Sequence, residues 1–161
     1  MYRLALRDLG IVVLAALLWR LDAGHRDGTA LGWALSIGTG VATALVGFLL
    51  HEWGHLGGSL ASGSVVDFPK SLLSPLLFHF DSARNDRRQF FWMSAGGYLA
   101  SLIALAGIAL LCPLSTWAGR VALGLGCLGV VATFTLELPI TLKVWRGAAL
   151  PLGAAYRPHD D

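Results

Sequence analysis

Two histidines four residues apart, with a glutamate between them, are the residues of this 161-residue chain whose types and spacing could do chemistry. In His51-Glu52-x-x-His55 a helix sets both imidazoles on one face, close enough to reach one zinc ion. Neutral imidazoles can hold such a metal, which draws the pKa of a water down toward about 7. Glu52, beside them, can then take that proton and pass it to a departing amine. A hydrolytic zinc site uses three protein ligands and keeps one position open, so a third ligand must come from elsewhere in the chain.

The candidates are few. The chain has two glutamates, Glu52 and Glu137, and both fall in apolar stretches. An ionisable group there costs a few kcal/mol or more and marks a functional site. Glu137 is therefore the expected third ligand; the competing reading is a carboxylate that snorkels at a helix end, close before Lys143. Asp67, His79 and Asp81 are the other candidates. Asp67 precedes Phe68-Pro69 and reads as a turn residue, while His79 and Asp81 sit where the chain leaves an apolar stretch for a charged loop. His25 and His159 lie in polar flanks and read as solvated.

The elements that must position these groups belong in lipid. Apolar residues make up 55% of the chain and charged ones 14%, and the mean hydropathy is +0.64. Ordinary globular domains carry roughly 25% charged residues, so this composition excludes a cytosolic enzyme and a disordered tail. The net charge of +2 comes from arginines at segment ends, without the basic stripe of a nucleic-acid binder. Cys112 and Cys127 sit in apolar runs and read as buried small hydrophobes.

The chain reads as an all-α polytopic membrane protein of one domain, residues 1–161, with about four transmembrane helices at residues 5–21, 29–63, 90–112 and 121–142. The first is weak, being closed in by Arg7, Asp8, Arg20 and Asp22; no small-residue cleavage site follows it, so it reads as a span and not as a signal peptide. Between the second and third lies an apolar stretch, residues 72–80, read as either a β-hairpin or a re-entrant piece. Its edge could hold an unfolded substrate as an added strand. With the N-terminus inside, nine Lys and Arg fall on the cytoplasmic side and three outside, which places both termini in the cytoplasm of a prokaryotic-type plasma membrane. Five of the six tryptophans then lie near span ends. In this topology the second and fourth spans both run inward, so the His-Glu motif and Glu137 share the cytoplasmic end and can meet. Glycines crowd both spans, which suits close helix packing.

These residues resemble the site-2 protease family of intramembrane zinc metalloproteases. The match lies in His51-Glu52-x-Gly54-His55 near the inner end of a helix, followed by small residues and Gly63. Ser94-Ala95-Gly96-Gly97-Tyr98-Leu99-Ala100 looks like the family's Ala-Gly-Pro-x-x-Asn segment, with Gly97 for the proline and Ala100 for the asparagine. Leu136-Glu137-Leu138-Pro139 stands where the family has Leu-Asp-Gly, which carries its third ligand. The resemblance covers roughly residues 30–145. It implies a three-helix metalloprotease core plus one N-terminal helix, Zn2+ held by His51, His55 and Glu137, and Glu52 as the catalytic residue. The implied activity is zinc-dependent endopeptidase cleavage of a membrane-embedded protein substrate near the cytoplasmic face. The alternative is a non-catalytic membrane binding or assembly protein that keeps the fold. A di-iron oxidase would need several histidine clusters, which five histidines do not supply.

Overall fold

The computed structural model describes residues 1–25, 28–153 and 155–156. His159, Arg26 and Arg157 lie outside the described residues. Helix α1 covers Tyr2–Gly24, α2 Ala30–Ala61, α3 Arg87–Leu111 and α4 Trp117–Ala132. A π-helical turn, Thr133–Glu137, then leads straight into α5, Leu138–Trp145. Side-chain caps set the starts of three of them. Thr29 accepts from Gly32 N–H at 3.2 Å, Asp86 and Gln89 form a reciprocal capping box on α3, and Thr116 accepts from Gly119 N–H at 3.1 Å.

Among the described residues, three helical stretches are long and apolar enough to cross a membrane: Ala30–Ala61, Arg87–Leu111 and Trp117–Trp145. Helix α1 is long as well, yet carries more charge. Its two aspartates are buried, with partners: Asp8 accepts from Arg7 and from Trp53 Nε1, and Asp22 accepts from the Ser36 hydroxyl. Satisfying those carboxylates inside the protein is what lets α1 pack against α2.

Helix α2 is the axis of the bundle and packs against α1, α3 and α4. His51 lies 21 residues beyond its start, about 31 Å at 1.5 Å per residue, which is the full depth of a hydrocarbon core of about 30 Å. The motif is therefore at one end of the spanning region. The compact hydrophobic core is at that same end, where Leu4, Leu56, Leu77, Phe80, Phe90 and Val144 come together. Away from it the helices expose large side chains such as Leu110 and Leu111. The large buried apolar side chains are thus concentrated around the motif, while the opposite end buries mainly small or polar residues such as Asp22, Thr39, Ala118 and Ala122.

The segment between α2 and α3 forms a short antiparallel ladder, Val66–Asp67 (β1) with His79–Phe80 (β2), Asp67 lying opposite His79. Of the apolar stretch 72–80 only His79–Phe80 is strand, and it pairs with Val66–Asp67 from before that stretch. The far side of β2 is also engaged: Phe80 N–H donates to Ala155 O at 2.9 Å, so the C-terminal tail folds back over the motif end.

Glycine has a packing role at only some of the positions the sequence offers. A Cβ at Gly54 or Gly58 would run into the α3 backbone at Gly96 and Trp92, so these two let α2 and α3 touch. At Gly38, Gly57, Gly124 and Gly129 a Cβ would meet nothing within 4 Å, and close helix packing is not what those glycines do.

Candidate metal centre

His51 and His55 rise from one face of α2 against α3, and each ring is oriented through Nδ1. His55 Nδ1 donates to Met93 O at 2.9 Å. His51 Nδ1 lies 3.2 Å from Gly97 O and 2.8 Å from Ser101 Oγ. A carbonyl oxygen only accepts, so Nδ1 of each ring carries a proton, and a neutral ring then presents its lone pair at Nε2. The two Nε2 atoms face each other at 3.0 Å.

Glu137 completes the group from the other side. Its carboxylate places Oε1 3.2 Å from His51 Nε2 and Oε2 3.3 Å from His55 Nε2. The backbone explains how it gets there. Pro139 has no N–H to give, so the regular ladder breaks just before α5, and Leu138 N–H bonds instead to Thr133 O, one residue further back than in an α-helix. The extra residue in that turn resets the azimuth of Glu137. Thr141, one turn later, pins α5 to α3: the Tyr98 hydroxyl and Thr141 Oγ1 are 2.6 Å apart, and Thr141 Oγ1 donates to Ser94 Oγ at 3.3 Å.

Among the described residues, His51, His55 and Glu137 form the group that could hold a metal ion, with ligand atoms all within 4.8 Å of one another. The donor chemistry fits. Two imidazole Nε2 atoms and a carboxylate converge, the nitrogen and oxygen donor set of a metal site. A tetrahedron with metal bonds of about 2.0–2.1 Å has edges of about 3.3 Å, near the 3.0 Å between the two Nε2 atoms. Each imidazole is also held through its other nitrogen by an acceptor, the usual support of a metal-binding histidine.

Asp67, His79 and Asp81 are not part of that group. Asp81 is fully buried but caps the turn ahead of α3, accepting from Ala83 N–H at 2.9 Å and Arg84 N–H at 3.1 Å. His25 Nδ1 bonds Leu21 O, back along its own helix. Glu52 is buried beside the centre and accepts from Leu77 N–H at 3.0 Å, so the loop before β2 is fastened to it. Arg7 holds the same loop from α1 by donating to Leu72 O and Ser74 O.

Three features around the centre escape the motif. Ser101 is signalled only by its place on the α3 face that also buries Ser94 and Gly97. The Leu77 N–H is backbone and has no sequence signal. Tyr156 lines the cleft shared by His51, Glu52, His55 and Glu137, although it lies 101 residues after His55. Burial, with the negative charges of Glu137 and Glu52 nearby, pushes its phenol up to about 12. Comparisons with protein-family models, curated proteins and solved structures return no match.

Loss of the Ser101 hydroxyl is a first measurable consequence. In Ser101→Ala the His51 ring keeps only the longer contact to Gly97 O, and the affinity for a divalent metal ion held by this group should fall about 10–100-fold in a competitive chelator titration. Unchanged affinity would mean that Ser101 does not orient the ring.

Proposed function

We propose that the chain is a zinc-dependent intramembrane endopeptidase of the site-2 protease kind, with His51, His55 and Glu137 as ligands and Glu52 as general base. The single observation that carries this is the convergence of Glu137 on both Nε2 atoms, with Glu52 buried next to them but outside the ligand set. In this reading α1 is a fourth span, both termini are cytoplasmic, and the substrate is a membrane-embedded protein cut near the cytoplasmic face.

When bound, the metal supplies Lewis acidity, polarising a carbonyl and acidifying water. The protein's own groups do the rest. Glu52 accepts the proton of the attacking water and returns it to the departing amine. The Leu77 N–H holds one Glu52 oxygen, which fixes the carboxylate's orientation. Tyr156 faces the same cleft as a neutral donor and stabilises the oxyanion that develops at the scissile carbonyl. A membrane substrate must unfold locally to present its backbone there.

Zinc-loaded protein reconstituted in liposomes with single-span membrane proteins should release fragments, and 1,10-phenanthroline should stop it. Tyr156→Phe should lower kcat about 100-fold with KM and zinc content little changed. Wild-type kcat in that variant would remove Tyr156 from the chemistry. No turnover by metal-loaded wild type across several substrates would favour the second reading, a non-catalytic assembly protein, which the Leu136-Glu137-Leu138-Pro139 sequence also suits.

A further inference from the structure

The metal centre has two approaches. One is the cleft under the Leu76–Phe78 loop and Tyr156. The other is a half-open cavity of about 270 Å³ within the spanning region, bordered by three helices. Its walls are Gly47 and Phe48 from α2, Ala104 and Ile108 from α3, and Gly126 and Gly129 from α4. His51 and Glu137 close its inner end.

We propose that this cavity receives one bulky apolar side chain of the substrate, adjacent to the scissile bond, and that Gly129 sets the size it accepts. The proposal deepens the peptidase reading and rests on it. Volume is the first argument, since a dry apolar cavity of about 150 Å³ already admits benzene. This one has room for a branched aliphatic or aromatic side chain. Gly129 is the second argument. It lies at the exposed edge of the cavity lining, and a Cβ there would meet nothing within 4 Å. A larger side chain at this position therefore has no helix neighbour to displace and can extend over the cavity. By contrast, a Cβ at Gly126 would already lie 3.2 Å from Ile108 Cδ1, so that position is filled by its neighbours.

The mixed character of the cavity selects the occupant. Its length is hydrocarbon-lined, but its end carries an imidazole and a carboxylate. A lipid acyl chain would cover that polar end without satisfying it, at a desolvation cost. A peptide crossing the centre brings backbone polar groups to His51 and Glu137 while its side chain fills the apolar part. The cavity is continuous with the metal centre through His51, Leu136 and Glu137, which line both approaches.

Hydroxamates of the form R–CO–NHOH test this on the zinc-loaded full chain in detergent, with R as methyl, isobutyl or benzyl and binding as the readout. Affinity should rise at least about 10-fold from methyl to benzyl. Gly129→Leu should abolish that rise and leave acetohydroxamate binding unchanged. Ala44→Leu, across the cavity, serves the same purpose if Gly129→Leu does not accumulate. If affinity is independent of R, or Gly129→Leu still prefers benzyl, the pocket is overturned while the metal centre stands. Displacement of the benzyl probe by oleate would mark an acyl-chain site and also overturn it. Failure of acetohydroxamate itself to bind would overturn both the centre and the pocket.

Discussion

Glu52→Gln is expected to lower turnover by about 10³-fold and to leave the zinc content unchanged. Glu52 is buried, yet its carboxylate is tied to Leu77 N–H and takes no part in the converging ligand group. Glutamine keeps the size and the acceptor oxygen for that N–H. What it loses is the ability to accept a proton from water and release it to an amine. The two readouts therefore separate, with turnover measured on a reconstituted membrane substrate and metal measured on the same preparation. Retained cleavage in metal-loaded Glu52→Gln would remove Glu52 as the base. Loss of zinc in that variant would instead make Glu52 a ligand, against the observed geometry.

Gly97→Ala should be nearly as damaging, by a different route. A Cβ at that position on α3 would overlap the His55 imidazole. The ring sits between α2 and the backbone at Met93, so it can move aside only by giving up its bond to Met93 O and turning Nε2 away from Glu137. Overpacking of this kind costs about 1–3 kcal/mol, and misdirecting a ligand should lower zinc affinity by about 100-fold or more. Gly107→Ala is the control on the same helix, because a Cβ there meets nothing within 4 Å. That variant should be neutral or stabilised by about 0.5–1 kcal/mol. Thermal unfolding followed by circular dichroism, together with chelator competition for zinc, checks both. Equal effects in the two variants would show that helix propensity, and not the His55 contact, decides the outcome.

Much of this arrangement is readable from residues alone, for identifiable reasons. His51 and His55 are placed by the pitch of a helix, so their spacing suffices to put them together. Glu137 is exposed by its cost, a carboxylate in an apolar run that needs partners. Cap residues such as Thr29 and Asp86 mark the helix starts locally. The charged α1 is harder to read, because its aspartates are matched by Trp53 and Ser36 on another helix. The π-helical turn is only half visible. Pro139 announces a break but not that the break re-aims Glu137 onto two imidazoles. Tyr156 and the Leu77 N–H depend on how the tail and the loop fold over the motif, which no local period encodes. Glycines show the same limit. Composition cannot tell Gly54, which admits a neighbouring backbone, from Gly129, which borders a cavity.

Metal content, measured by elemental mass spectrometry on detergent-purified wild type, His51→Ala and Glu137→Ala prepared side by side without added zinc, is the most direct test of the centre. Wild type should carry about one zinc per chain and both variants should lose it, since each removes one of three protein ligands. Wild-type protein that stays empty when zinc is supplied, or Glu137→Ala that retains full zinc, would contradict a site joining α2 to the turn before α5.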